Sequence, residues 1–254
     1  MSTVFLLSPA YCGGRRASIL LNTNSEAVTA REFRSGTMSL GRAFAFMSGL
    51  YFRGKLTYAE RFGETWVITP TRGLQPPSLR FNLKLLREFA VGDVSLDNPL
   101  YRRALERDAK ALMRRLGADG QVVLLGSVAS GKYVDILLPI LGDRLRYPVS
   151  FIGRGDMSRG GLLLRSAAGG VELEYQPLVA GVRPRGPRPP KLDPLTRVAV
   201  SWEHESAARP HRDRRGIVEP ALRPTGGEAG AERLGPVVDI RLRARARIHR
   251  LTKL

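Results

Sequence analysis

The chain holds a single cysteine, Cys12, and only three histidines, His204, His211 and His249, all beyond residue 200. One cysteine excludes an intramolecular disulfide and a cysteine-rich metal site. The absence of histidine from the preceding segments excludes a His-based zinc centre and a Ser-His-Asp triad there. No apolar run approaches the roughly 18 residues of a membrane span. The opening segment MSTVFLLSPAYCGG has an apolar patch of only about four residues and no basic stretch before it, unlike a signal peptide. The expectation is a cytoplasmic protein with no membrane partner, no metal and no cofactor. Lysine is also scarce: six of the 41 basic residues are lysine and the rest are arginine, in a chain of formal charge +18. An arginine skew with abundant Ala, Gly and Pro follows from GC-rich coding. It equally fits polyanion binding, and both readings stand. Residues 181–254 carry 17 basic and 8 acidic residues, so +9 of the +18 lies there.

What is present alternates short apolar runs with amphipathic stretches. TVFLL (3–7), TWVIT (65–69), QVVLLG (121–126) and RYPVSFIG (146–153) read as buried strands. Helices are expected after Gly13-Gly14-Arg15-Arg16, over 25–34 with Ser25 as N-cap, over 39–62 in two pieces with Gly49 and Gly54 as weak points, and over 83–90. Two more are expected, from Asn98-Pro99 to about Leu116 and over 132–142, kinked or interrupted at Pro139. LLLRS (162–166) and VELEYQP (171–177), on either side of Ala167-Ala168-Gly169-Gly170, read as an edge hairpin. Buried strands alternating with helices predict an α/β fold, a mostly parallel sheet covered on both faces. The domain is expected to span 1–182, with a C-terminal β-hairpin. Residues 183–254, opened by the Pro- and Arg-rich run RPRGPRPPKLDP, are expected to form a disordered basic tail.

In an open parallel sheet, ligands bind beyond the carboxyl ends of the strands. Polar and glycine-rich segments follow each expected strand: Ser8 to Arg16, Thr69 to Gly73, Gly126 to Lys132, and Gly153 to Gly161. Hydroxyls, glycines and arginines delivered to one rim suit an anion; the same residues also make ordinary turns. Gly126-Ser-Val-Ala-Ser-Gly131-Lys132-Tyr133 fits the phosphate-loop pattern except that Tyr133 replaces the Ser or Thr that would hold magnesium. The expected role there is an anion-binding helix start or a turn. Cys12, near a helix start and two arginines, is either an activated thiol or a small residue in a tight turn. Tyr51-Phe52-Arg53-Gly54-Lys55 offers base stacking with phosphate contact, or a helix with Tyr51 and Phe52 inward and Arg53 and Lys55 solvated. Asp156, between Arg154 and Arg159, is either a base or one half of an ion pair.

Taken together, Ser8-Pro9-Ala10 with Cys12-Gly13-Gly14, Gly49 to Lys55, Ile68 to Leu74, Leu125-Gly126-Ser127 with Lys132-Tyr133, and Gly153 to Gly161 resemble a family of uncharacterised bacterial proteins over roughly residues 3–190. The third loop of that family usually lacks the glycine before the lysine, and its members end near the Pro-Arg stretch. The chain departs from the pattern at both places. More distantly, the order of segments is similar to YaaA-like and other small α/β domains of unknown function. The resemblance implies a shared site and does not name a reaction.

The sequence therefore predicts binding of an anionic small molecule or nucleotide at the rim, with glycosidic-bond or base chemistry as the first reaction to consider. Arg72, Arg154 and Arg159 would clamp the anion, with Lys132 beside them. Ser8, Ser127 and Ser158 would donate hydroxyls, and the backbone at Gly126, Gly153 and Gly155 would approach the ligand. Asp156 and Ser8 are the candidate catalytic residues. The alternative is a non-catalytic protein that binds nucleic acid through core and tail arginines, with affinity falling steeply with salt.

Overall fold

The computed structural model describes residues 2–182 and 184–192. Six strands form one sheet: β1 (Thr3–Leu7), β2 (Glu64–Thr69), β3 (Gly73–Gln75), β4 (Gln121–Leu125), β5 (Leu145–Pro148) and β6 (Tyr175–Pro177). Their spatial order is β3-β2-β1-β4-β5-β6. β2, β1, β4 and β5 are mutually parallel, and β3 and β6 are antiparallel edges. The chain steps from β1 to β2 on one side, then crosses to β4 on the other. Strand order thus reverses between β1 and β4, where an open α/β sheet has its binding crevice.

Eight α-helices lie among the described residues: α1 (Arg15–Leu21), α2 (Val28–Arg34), α3 (Leu40–Ser48), α4 (Leu50–Phe62), α5 (Leu83–Val91), α6 (Pro99–Arg115), α7 (Gly131–Leu141) and α8 (Asp156–Gly169). Alternate strand residues feed two cores. Phe5, Leu7, Val67, Val123 and Leu125 pack under α1–α5 and α8. Val4, Leu6, Ile68, Val122 and Leu124 pack under α6 and α7. Burial on both faces is why the strands read as unbroken apolar runs.

Local signals explain most boundaries. Asn82 and Asn98 cap α5 and α6 by accepting from Leu85 and Leu100 N–H, and Ser39 caps α3 through Arg42 N–H. Gly49, at φ +69°, breaks 39–62 into α3 and α4, and α4 runs unbroken through Gly54. Three expectations are corrected. The helix near Ser25 begins at Val28 with Ala27 at its cap position. The strand expected to reach 153 ends at Pro148, followed by a 3-10 turn over Val149–Phe151. The hairpin over 162–177 does not form, because 162–166 lie inside α8 and only Tyr175–Pro177 pairs with β5. The Ala-Ala-Gly-Gly signal was a helix end, with Gly170 in the left-handed conformation closing α8. The expected disordered tail lies outside the described residues except for 184–192. That run has no regular secondary structure and lies along the 152–161 segment: Arg154 donates to Pro190 O at 3.3 Å, and a Cβ at Gly186 would stand 2.7 Å from Ile152 Cγ2.

Candidate functional site

The site is assembled by a helix crossing. α4 and α8 pack against each other more extensively than any other helix pair among the described residues. Glycines permit this: a Cβ on Gly54 would stand 2.5 Å from Gly160 O, and one on Gly160 would stand 2.8 Å from Leu50 O. The backbone contact brings Tyr51 and Lys55, one turn apart on α4, against the first turn of α8 with Asp156 and Arg159.

Lys55 is 1% exposed and Ser8, just past the end of β1, is 7% exposed. Lys55 Nζ donates to Ser8 O at 2.6 Å and is 2.8 Å from Ser8 Oγ. It also lies 4.5 Å from the Tyr51 ring centroid and 4.9 Å from that of Phe52. Ser8 N–H donates to Leu125 O across the β1–β4 crevice. Gly126 faces the serine, and a Cβ there would be 3.0 Å from Ser8 Cβ. Tyr133, in the first turn of α7, approaches the same serine from the other face of the sheet.

The electrostatics tie these groups together. Burial lowers Lys55 to about 7; Asp156 opposes the shift and Arg159 adds to it. Burial pushes the Tyr51 phenol up to about 12, against the pull of the Arg159 guanidinium. Tyr51 Oη is buried without a hydrogen bond of ordinary length and angle, so Arg159 acts on it chiefly through its charge. Burial, with help from Tyr51 and Asp156, raises Tyr133, while a hydrogen bond with Ser8 draws it back. Asp156 is 70% exposed and Arg159 16%, with 3.9 Å between them. An exposed carboxylate that influences Lys55, Tyr51 and Tyr133 alike places the cluster just beneath the rim.

The rim arginines are held in two ways. Arg154 donates to Ser150 O and to Ser158 Oγ, both at 3.1 Å. Arg159 donates to Phe151 O at 3.1–3.2 Å and stacks on the Phe151 ring. These hydrogen-bond acceptors are neutral, and among the described residues the one carboxylate near either guanidinium is Asp156, 3.9 Å from Arg159. Arg72 instead spends its charge on Glu88, in two bonds of 2.9 and 2.7 Å, with Thr71 joining the same carboxylate. Gly155 stands at the N-cap position of α8, and Gly153 is packed against Pro187 with no room for a side chain. Ser127 is half-buried beside Gly126. Lys132 lies over the Tyr133 ring, and its carbonyl accepts from Tyr101.

The structure thus gathers Ser8, Gly126, Asp156 and Arg159 into one cluster, with Arg154 on the adjoining loop and Ser158 in the first turn of α8. Lys55, Tyr51 and Tyr133 were not among the predicted site residues. The expectation that Lys55 is solvated is corrected: it is buried, whereas Arg53 is exposed. A signal was available, since Lys55 lies four residues after an inward-facing aromatic and therefore shares its helix face. Cys12 is buried, its thiol pushed up to about 12 by that burial, which leaves the tight-turn reading. Two surface depressions lie elsewhere. One, of about 210 Å³, includes Trp66, Asp108 and Arg115; the other, of about 460 Å³, includes Thr3, Glu64 and Arg115. Their charged groups are already matched, Arg115 with Glu64 and Asp108 with Arg107. Among the described residues no three Cys, His, Asp or Glu side chains are grouped to hold a metal ion, and no helix is long and apolar enough to cross a membrane.

Comparison with protein-family models, with curated proteins and with solved structures finds no match for the chain.

Proposed function

We propose that the domain binds an anionic, nucleotide-related small molecule at the rim where β1 and β4 part. The observation that carries this reading is the state of Arg154 and Arg159. Both are fixed by backbone carbonyls and not by close carboxylates, and Asp156 approaches Arg159 only to 3.9 Å. Pre-oriented guanidiniums, Arg159 only loosely paired with Asp156, suit a phosphate or carboxylate. The start of α7 directly after β4 adds backbone N–H groups to the same edge. Arg72, paired with Glu88, contributes less, so the clamp narrows to the 154–159 segment. Base or glycosidic-bond chemistry, with Asp156 acting from the exposed side, remains the reaction to test on such a ligand.

The test is thermal unfolding of the full chain with inorganic phosphate and with nucleoside monophosphates. Saturation at about 100 times Kd is expected to stabilise by about 2.7 kcal/mol. Arg159→Ala is expected to weaken that binding at least tenfold. A wild-type chain unmoved by every anion would end the proposal.

A further inference from the structure

Lys55 remains unexplained by anion binding, since it lies beneath the rim arginines and its amine is turned onto Ser8. We propose that Ser8 and Lys55 form a nucleophile–base pair that carries out acyl transfer, hydrolysing an ester or amide through an acyl-Ser8 intermediate.

Four observations converge. The pair sits at the strand-order reversal between β1 and β4, the position in this architecture where ligands meet the sheet. Lys55 is buried, and its amine hydrogen-bonds to one serine, not to a carboxylate. An amine in that setting is costly as mere packing, because an apolar side chain of the same shape would fill the space without desolvating a charge. Ser8 Oγ lies 2.8 Å from that amine, the reach required of a nucleophile and its base. Finally, Tyr51 Oη is a buried hydroxyl in the same cluster with no acceptor for its O–H at ordinary hydrogen-bond geometry, its oxygen lying toward the Arg159 guanidinium. Kept protonated by its burial, it is a free donor for the oxyanion that forms when a carbonyl is attacked.

The steps balance with water as the co-reactant. The Ser8 oxygen attacks the carbonyl carbon while its proton passes to the neutral Lys55 amine. The carbonyl oxygen takes the negative charge and is met by the Tyr51 hydroxyl. As the carbonyl re-forms, the bond to the alcohol or amine breaks, and Lys55 returns the proton to that leaving group. Water then attacks the acyl-Ser8 carbonyl and gives its proton to Lys55. Collapse releases the carboxylic acid, and the proton returns to Ser8. The backbone contact at Gly54 and Gly160 holds the base against its serine.

The test uses the full chain and a neutral fluorophosphonate, so it reads the pair whether or not the rim binds anions. The expected result is one adduct per chain, mapped to Ser8 by peptide mass spectrometry, with fluoride released. Labelling should rise with pH through about 7 and then level off, following Lys55. The groups facing the amine are Asp156 and Arg159 on α8 and Tyr51 on its own helix, with Tyr133 of α7 against Ser8; the two phenols, raised by burial, titrate above that range. Ser8→Ala should abolish labelling, and Lys55→Met should slow it at least 100-fold with an unchanged circular dichroism spectrum. Absence of an adduct in the wild-type chain, an adduct elsewhere, or equal rates in Lys55→Met would each overturn the proposal. Should Lys55→Met fail to fold, the wild-type pH profile decides: a rate flat between pH 5 and 9 rejects it.

Discussion

A buried amine without a close carboxylate is a stability cost that depends on pH. Lys55 is lowered to about 7 in the folded chain from an ordinary 10.5. The unfolded chain therefore binds more protons than the folded one between those values, and stability rises as pH rises through them. Below about pH 7 both states hold the proton and the penalty is complete, on the order of several kcal/mol. Toward pH 10.5 it disappears. Lys55→Met removes both the charge and the titration. The variant is expected to be more stable than the wild-type chain at pH 6, with the difference narrowing steadily to pH 10 in urea unfolding. A constant difference would mean that Lys55 is not neutral near pH 8. Tyr51 and Lys55 also show how far a residue's role was readable: their spacing puts them on one face, but nothing in the spacing says that α8 covers that face.

Among the elements, the α4–α8 pair has little tolerance for added side-chain volume. Its backbones touch at Gly54 and Gly160, where a methyl group would meet carbonyl oxygen at 2.5 and 2.8 Å. Backbone cannot swing aside as a flexible side chain can. Gly160→Ala is expected to destabilise by about 2–4 kcal/mol through overpacking, measured as a lower urea midpoint at unchanged slope. It should also slow fluorophosphonate labelling, because Lys55 moves with α4. Both glycines stand in the segments Tyr51 to Lys55 and Gly153 to Gly161. Read singly they suggest a weak point and a turn. Only the pairing of two distant helices turns them into a contact. Caps were easier to read: Asn98 followed by Pro99 starts α6 as expected, because a cap depends on its own next few residues. The mistaken hairpin at 162–177 has the converse cause, as Gly169-Gly170 serves a turn and a helix end equally well.

Across the whole molecule, the formal charge of +18 favours polyanions in general, and the rim favours one small anion in particular. Salt separates the two. A polyanion with six or more phosphates neutralised by the protein is expected to lose about 10³-fold in affinity between about 50 and 200 mM salt, by counterion release. A small anion held by two guanidiniums has no condensed counterion atmosphere to release and should lose far less over the same interval, through screening alone. Arg159→Ala should remove the small ligand and leave duplex-DNA binding within twofold. Fluorescence anisotropy with a labelled duplex, beside titration of a nucleoside monophosphate, reads both effects. A parallel loss of the two would merge them into one nucleic-acid surface.

The sequence by itself determined the fold class, the four parallel strands and the rim segments that follow them, because strand and helix periodicity and turn chemistry are properties of neighbouring residues. It also singled out Ser8, Asp156 and Arg159 as candidates for that rim. Tertiary structure alone decided that β1 and β4 are adjacent, that α4 lies on α8, that Arg72 is engaged by Glu88, and that Lys55 is buried against Ser8. Each depends on which surfaces meet across many residues of chain, and the free energy of burying an amine or neutralising an arginine exists only once they have met.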